Sequence, residues 1–266
     1  MPEGHTVHRT ANEFTKRFGG LPVEVISPQG RFSSGAELIS GQVLTASRAI
    51  GKQMFLEFAN DLTLRIHLGI YGKWRFDAFA DSQLAEPVGQ VRARFINANN
   101  YADLRGPTVC EVITRDEVAI VEARLGPDPL NPDLTGKEMN RFIERVRKSK
   151  TSIGQLLMNQ EVISGIGNVY RAELLFRAQI DPYRPGSSIP AEQLEQLWAD
   201  SVKLLQVGVK KGVMITRDEF LTKNPVKAER NFVYKREGLE CRVCSTHVAI
   251  EIMATRKLYF CPSCQQ

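Results

Sequence analysis

Apolar residues near the start of the chain recur at the spacing of one helix face. Val7, Ala11, Phe14 and Phe18 are separated by four, three and four residues, which places their side chains on one side of an α-helix. A Gly-Gly pair at 19–20 follows directly, and glycine is typical of a helix end. The pattern therefore predicts a first helix that ends near Phe18.

The segment from residue 21 to about 113 has a different pattern, in which short β-rich runs are joined by turn residues. Glycine or an Asn-Asp pair stands in several connections, as at Gly51, 60–61 and Gly72. Runs of this length and spacing are typical of an antiparallel sandwich or barrel. The runs are PVEVI, QVLTA, QMFLEF, LTLRIHL, KWRF, VRARFI and CEVIT.

The second half of the chain returns to helical periodicity, which begins at Arg115. Three prolines fall within residues 125–135, and prolines at this density predict a linker between two domains. Helical patterns follow near residues 136–148, 152–160, 168–177 and 190–209.

Positive charge is concentrated in one part of the chain. The sequence has 35 Lys and Arg residues against 30 Asp and Glu, a formal net charge of +5. Residues 203–236 carry nine basic and three acidic residues, so this segment alone holds a net +6. A solvated face is the ordinary explanation of such a run. Because the cysteine-rich end that follows is also basic, we expect an anionic polymer as partner.

Composition excludes several other classes of protein. Apolar residues make up 42% and charged residues 24% of the chain, which allows a core and argues against a disordered tail. No apolar stretch approaches the ~18–20 residues of a spanning helix. The polar start, MPEGHTVHR, lacks the apolar region of a secretory signal. We therefore expect a cytoplasmic monomer with no membrane partner.

Four of the five cysteines lie close together at the end of the chain, as two C-x2-C pairs separated by sixteen residues. In a reducing compartment such paired thiolates converge on one structural Zn²⁺; free or incidentally paired thiols are the alternative. With four thiolates present, His247 is not needed as a ligand, and Cys110 is interpreted as a small buried apolar residue. The predicted ligands are Cys241, Cys244, Cys261 and Cys264.

Four separated motifs together resemble the formamidopyrimidine-DNA glycosylase and endonuclease VIII (Fpg/Nei) family of bacterial DNA repair enzymes, and the endonuclease VIII type most of all. They are the terminus MPEG, the Gly51-Lys52 turn, the pair SIGQLLMNQ and GIGNVYRAELLF, and the four-cysteine end. The resemblance spans residues 2 to 264. It implies an α+β multidomain fold, with DNA bound in a cleft between domains.

The same resemblance divides the chain. It implies a β-sandwich flanked by helices over residues 1–124 and a linker over 125–135. A helix-two-turn-helix domain over 136–236 and a zinc-finger β-hairpin over 237–266 complete the expected fold.

The resemblance also implies a set of catalytic residues. If Met1 is removed, Pro2 becomes a secondary α-amine, which is partly unprotonated at neutral pH and nucleophilic. Family members use this amine to attack C1′ of the damaged nucleotide, with Glu3 as the acid. Lys52 is implied in β-elimination and Arg256 in δ-elimination. Without the resemblance, each of these residues has an ordinary structural explanation. Pro2 is then a second residue with no role, and Glu3 is a residue that favours the first turn of a helix. Lys52 is a solvated lysine in a turn, and Arg256 is an arginine on the surface of the hairpin.

DNA-contacting residues are implied in the same way. Arg124, His67 and Asn168 match positions that contact phosphate or DNA in the family. Taken alone, a single histidine on a strand is more often a structural residue than a ligand contact. Asn168, at the start of a predicted helix, has an ordinary N-cap role as its alternative. His5 and His8 fall on the polar side of the first predicted helix and receive no role.

The loop Leu68–Gly72 carries the residues expected to fill the gap left by an extruded base. Ile70 and Tyr71 fit an intercalating wedge, although Gly69 stands where the family has a polar side chain. A hairpin tip packed on its own domain is the alternative. This wedge indicates oxidised pyrimidines, and so does the segment LTKNPVKAERN after ITRDEF, because it lacks the glycines of the loop that closes over oxidised purines.

The resemblance therefore implies a bifunctional DNA glycosylase and AP lyase that acts on damaged double-stranded DNA, with single-stranded or bubble DNA as further possible substrates. It excises oxidised pyrimidines in preference and nicks the strand by β,δ-elimination. Three alternatives are an 8-oxoguanine or formamidopyrimidine glycosylase of the same family, an AP lyase that recognises no damaged base, and an inactive zinc-finger DNA-binding protein.

Overall fold

The computed structural model describes residues 2–79 and 84–266. Two compact units make up the chain, Met1–Arg124 and Leu125–Gln266. Within the described ranges, every helix is too short or too polar to cross a membrane.

The first unit is built around two four-stranded antiparallel sheets, with strand orders β1-β6-β7-β5 and β2-β3-β4-β8. The predicted β-sandwich flanked by helices is thus confirmed. Its elements are α1 (Gly4–Phe18), β1 (Glu24–Ile26), α2 (Ser33–Ile39), β2 (Leu44–Ile50), β3 (Gln53–Phe58), β4 (Thr63–His67), β5 (Lys73–Ala78), β6 (Val91–Ile96), β7 (Asn100–Arg105), β8 (Val109–Ile113) and α3 (Arg115–Ala123).

The apolar face of α1 is buried as its spacing predicts, and Phe14 is at its centre. The Phe14 ring packs edge-on against Trp74, Phe76 and Phe95, with centroid distances of 4.7, 5.1 and 5.5 Å. Such pairs contribute about 0.5–1.5 kcal/mol each beyond the burial of their area. They attach α1, and with it the start of the chain, to the β1-β6-β7-β5 sheet.

Strand β7 is absent from the runs that the sequence predicts, and the structure gives the reason. It lies between β6 and β5 in its sheet, and a buried Asp103 interrupts its apolar residues. Arg94 on β6 donates two hydrogen bonds to the Asp103 carboxylate, at 2.6 and 3.0 Å. Arg105, on the same strand as Asp103, donates a further hydrogen bond to this carboxylate at 3.0 Å. These two arginines make an aspartate tolerable inside the sheet.

We expect Asp103→Asn to lower the free energy of unfolding of the first unit by about 3–5 kcal/mol, because it leaves the Arg94 charge buried without compensation. Both side chains of this pair are only 2% exposed. Denaturant unfolding measures the change. The matched control is Asp77→Asn, which removes an ion pair whose side chains are 45–53% exposed and should cost at most about 1 kcal/mol. Equal losses in both variants would contradict this account.

The second unit is mainly α-helical up to Lys211 and ends in a β-hairpin, with two short 3₁₀ turns, Asp218–Phe220 and Lys227–Glu229, in the segment between. The predicted helices near 136–148, 168–177 and 190–209 are confirmed, whereas the pattern near 152–160 forms only one helical turn. Residues after it leave the helix because the Asn159 side chain accepts a hydrogen bond from the Glu161 N–H, a turn that competes with helix. The elements are α4 (Lys137–Arg147), α5 (Ile153–Leu156), α6 (Asn168–Arg177), α7 (Ala191–Lys211), β9 (Ala249–Met253) and β10 (Arg256–Phe260).

Candidate active site and metal centre

The start of α1 places a carboxyl group inside the first unit, next to Pro2. Glu3 is the N-cap residue of α1 with extended backbone, and its side chain is fully buried. Its carbonyl oxygen accepts a hydrogen bond from the Thr6 N–H at 2.9 Å. Pro2 directly before it is half-buried. Helix α1 therefore fixes the position of the two residues that the resemblance makes nucleophile and acid.

The sequence-based placement of His5 on the polar side of α1 is wrong. His5 is only 3% exposed, because α1 is covered at its N-terminal end as well as along its apolar face. Burial, and to a smaller extent the positive charge of the chain's N-terminus, together lower the pKa of His5 to about 4. The imidazole is therefore neutral at physiological pH. An isolated histidine gives no periodic pattern, so the sequence offers no means of finding it.

Lys52 and His67 are brought together by the β2–β3 and β3–β4 pairings. Gly51 and Lys52 form a two-residue turn between Ile50 and Gln53, and Gly51 has φ +58°, as the first position of a type II′ turn requires. Gln53 pairs with His67 on β4. Burial lowers the pKa of His67, and the charge of Lys52 lowers it further. The two candidate residues therefore lie at the same end of neighbouring strands in the sheet.

The orientation of the His67 ring is set by the loop that follows it. Its Nδ1 accepts a hydrogen bond from the Gly69 N–H at 3.2 Å. In the neutral ring the proton is then on Nε2, which remains a donor. A neutral donor of this kind can contact a phosphate oxygen without adding charge.

Ile70 and Tyr71 form the tip of a tight turn. The Gly72 N–H donates to the Leu68 carbonyl at 2.8 Å. Ile70 is 50% and Tyr71 84% exposed, so Tyr71 barely packs on its own unit. Gly69 has φ +62°, and a Cβ atom there would lie 1.9 Å from Thr108 Oγ1. Thr108 thus explains why this position carries no side chain, and only the two tip residues have the shape of a wedge.

Arg124 ends the first unit. It is the C-cap residue of α3, and its N–H donates to the Val121 carbonyl at 3.3 Å. Its side chain is exposed, as a DNA-contacting residue requires.

Asn168 links α6 to the C-terminal hairpin. Gly167 is the N-cap residue, so the interpretation of Asn168 as an N-cap is wrong. The buried Asn168 amide donates instead to the Lys257 carbonyl at 2.8 Å. Arg171, one helical turn later, donates to Asn168 Oδ1 at 2.5 Å and to the same carbonyl at 3.1 Å. Sequence analysis missed Arg171, although an arginine among the apolar residues of NVYRAELLF was a usable indication.

Arg256 is positioned by the hairpin turn. Ala254 and Thr255 have φ of +48° and +63°, the signature of a type I′ turn, which joins strands with the correct twist. Met253 pairs with Arg256 across it. Arg256 is thus the first residue of β10, adjacent to the Lys257 carbonyl that Asn168 and Arg171 hold.

The four C-terminal cysteines converge as their spacing predicts. All four Sγ atoms lie within 4.8 Å of one another, with Cys241 and Cys264 at 3.9 Å and Cys244 and Cys261 at 3.4 Å. A tetrahedral Zn²⁺ with Zn–S distances of about 2.3 Å needs Sγ–Sγ separations of about 3.8 Å. The site therefore fits a zinc ion, and four thiolates leave no position open for substrate.

Comparison with known proteins gives matches to both units. The model of the formamidopyrimidine-DNA glycosylase N-terminal domain matches residues 1–110, and that of the formamidopyrimidine-DNA glycosylase H2TH domain matches residues 125–219.

Similar proteins cover the full chain. Endonuclease 8 1 of Mycobacterium tuberculosis is 44% identical over 270 residues, which is 100% of both chains. A formamidopyrimidine-DNA glycosylase of Aliivibrio fischeri is 35% identical over 100% of this chain and 98% of its own length. Lactococcus lactis Fpg (MutM), solved in complex with DNA containing N7-benzyl-Fapy-dG, is 25% identical over 100% of both chains with a TM-score of 0.82.

Proposed function

This chain belongs to the formamidopyrimidine-DNA glycosylase and endonuclease VIII family of DNA glycosylases, and from that premise we propose that it is a bifunctional glycosylase and AP lyase for oxidised bases. The observation that carries the proposal is the Pro2-Glu3 pair, with its carboxyl fully buried at the start of α1. A protein that only binds DNA would gain nothing from burying the Glu3 carboxyl next to Pro2. This observation argues against the inactive alternative.

Removal of Met1 frees the Pro2 nitrogen as a secondary amine. In the first step, this unprotonated nitrogen forms a bond to C1′ of the damaged nucleotide. The C1′–N bond to the base breaks, and the electron pair leaves with the base, which takes a proton from the Glu3 carboxyl. The C1′–O4′ bond then breaks with its electron pair on O4′, which takes up the proton lost by the Pro2 nitrogen, and an iminium forms between Pro2 and C1′. The positive iminium nitrogen withdraws electrons from C1′, so the C2′ hydrogens become acidic.

In the second step, loss of a C2′ proton breaks the C3′–O bond and expels the 3′ phosphate as its anion. A second elimination then breaks the C5′–O bond, and water releases Pro2 from the remaining sugar fragment. We assign Lys52 to the β-elimination and Arg256 to the δ-elimination. The half-buried position of each side chain beside a tight turn supports these roles.

Damaged double-stranded DNA is the proposed partner. The net +6 of residues 203–236 supports it, and so does the likeness to an Fpg solved with lesion-containing DNA. His67, Arg124 and Asn168 are assigned to the DNA backbone. Gly69, Ile70 and Tyr71 form the loop that enters the helix, where Tyr71 and Ile70 fill the gap. We assign one Zn²⁺ to the four cysteines as a structural ion that orders the hairpin, and we propose a cytoplasmic monomer.

Oxidised pyrimidines are the favoured lesions. The exposed Ile-Tyr tip and the glycine-free segment 221–231 support this choice, as does the higher identity to a relative named endonuclease 8 than to the formamidopyrimidine-DNA glycosylases. Oxidised purines are the second candidate, because formamidopyrimidine-DNA glycosylases also match at 35% identity.

Borohydride trapping tests the proposal. We expect a covalent adduct on duplexes that contain thymine glycol or 5-hydroxyuracil, and on abasic DNA, but not on undamaged DNA. An adduct with 8-oxoguanine in place of the pyrimidine lesions would move the enzyme to the purine class. Trapping on abasic DNA alone would leave an AP lyase, and no adduct on any duplex would favour the inactive DNA-binding protein.

A further inference from the structure

Two arginines hold one exposed turn of the second unit through a single carboxylate. The 3₁₀ turn Lys227–Glu229 lies in the segment between α7 and the hairpin. The Glu229 carboxylate accepts hydrogen bonds from the Arg217 guanidinium and, at 2.9 Å, from that of Arg242. Arg242 also donates to the Ala228 carbonyl at 2.8 Å. The turn is therefore attached from both sides.

One of these arginines belongs to the metal centre. Arg242 stands between Cys241 and Cys244, so its backbone position follows that of the two ligands. The side chains of Arg217 and Arg242 are 13% and 20% exposed, and that of Glu229 is 39% exposed. Hydrogen bonds from Arg217 first, and from Arg242 next, hold the pKa of Glu229 below its ordinary value. The carboxylate is thus charged at neutral pH, which the attachment requires.

The attached turn is one wall of a cavity of about 580 Å³. Val169, Val213 and Met214 supply an apolar surface, and Lys227, Arg230 and Lys235 supply positive charge. A volume in this range is typical of small-molecule sites. Val169 directly follows Asn168, to which we assign a phosphate contact. An apolar surface bordered by cations fits a flat heterocycle that is rich in carbonyl oxygens, which is the chemistry of oxidised bases.

We propose that Glu229 is a positioning residue for recognition of the damaged base. Together with Arg217 and Arg242 it holds the wall of the cavity that receives the extruded oxidised base. Because Arg242 stands between two of the metal-binding cysteines, the ordering of this wall depends on the metal site. The inference rests on the proposed glycosylase function. It adds a specificity-determining residue, far along the chain from the nucleophile and the acid.

The test compares two substrates that differ only in the base. Single-turnover rates are measured on a duplex with 5-hydroxyuracil and on the same duplex with a preformed abasic site, which has no base to fill the cavity. We expect Glu229→Gln to lower base excision roughly five-fold while strand cleavage at the abasic site is unchanged. The matched control, Glu219→Gln, removes a carboxylate that also pairs with Arg217 and should leave both rates unchanged.

Trypsin provides a second readout that does not depend on activity. Lys223, Lys227 and Arg230 are cleavage sites within or beside the turn. We expect faster cutting there in Glu229→Gln, and also in the wild-type protein after a chelator has removed the metal, but not in Glu219→Gln. Equal behaviour of the two variants, or an equal loss of both rates in Glu229→Gln, would overturn the proposal. A wild-type protein that cleaves abasic DNA but excises no base would instead refute the glycosylase function, and the base-recognition role with it.

Discussion

Pro2→Gly is expected to lower base excision at least about a hundred-fold and to reduce the borohydride-trapped adduct in proportion. The variant keeps a terminal amine, so the change tests the imino acid itself. A secondary amine forms an iminium that carries its positive charge at every pH, whereas a primary amine gives an imine that must be protonated. The proline ring also fixes φ and so restricts the direction of the nitrogen next to the buried Glu3 carboxyl.

The matched control for this experiment is Lys52→Gln, which removes the other amine that we assign to catalysis. If Pro2 is the nucleophile, Lys52→Gln still forms the trapped adduct and loses strand cleavage instead. Undiminished turnover of Pro2→Gly, or loss of the adduct in Lys52→Gln alone, would contradict the assignment of the nucleophile. N-terminal sequencing of each preparation establishes whether Met1 has been removed.

Cys261→Ser is expected to remove the bound metal and, with it, DNA binding. Cys261 is fully buried and belongs to a small apolar cluster that joins the hairpin to α6. We therefore expect the metal to supply a large part of the hairpin's stability. Structural Zn²⁺ sites contribute about 10–16 kcal/mol of apparent binding free energy, which equals or exceeds the stability of a whole domain. Without the metal the hairpin unfolds, and Arg256 and the Lys257 carbonyl lose their positions beside Asn168.

Elemental analysis for zinc, followed by binding to duplex DNA with an abasic site, measures both effects. Cys110→Ser is the control, because Cys110 packs against the core of the first unit, where burial raises the pKa of its thiol to about 12. This variant should keep its zinc and bind DNA as the wild-type protein does. A Cys261→Ser protein with a full complement of zinc would contradict the four-thiolate site.

The elements that could be predicted are those whose cause is local. Helix α1 follows from its apolar spacing, and the cysteine site from two short repeats of one motif. The helix depends on residues within a few positions of one another, where backbone geometry decides which side chains meet. Each cysteine pair is equally local, and the metal chemistry of four thiolates indicates that the two pairs meet. The family resemblance rests on motifs of the same kind, and for that reason it identified the fold correctly.

Other features depend on contacts between distant parts of the chain. Asp103 is compatible with a central strand because Arg94 on the adjacent strand, and Arg105 on its own strand, pair with its carboxylate. His5 is buried by parts of the unit that its own helix pattern does not specify. The Asn168 amide meets the Lys257 carbonyl 89 residues away. Such contacts form only when distant parts of the chain pack together, and the spacing of residues along the sequence does not specify that packing.

The sequence by itself determined the fold class, the family and the metal ligands, because spacing along the chain specifies all three. Only the tertiary structure decided that the Glu3 carboxyl is buried, that Lys52 lies beside His67, and that Glu229 holds a cavity wall through Arg217 and Arg242. The physical reason is that desolvation and charge pairing depend on distances in space, which are fixed only when the whole unit has folded.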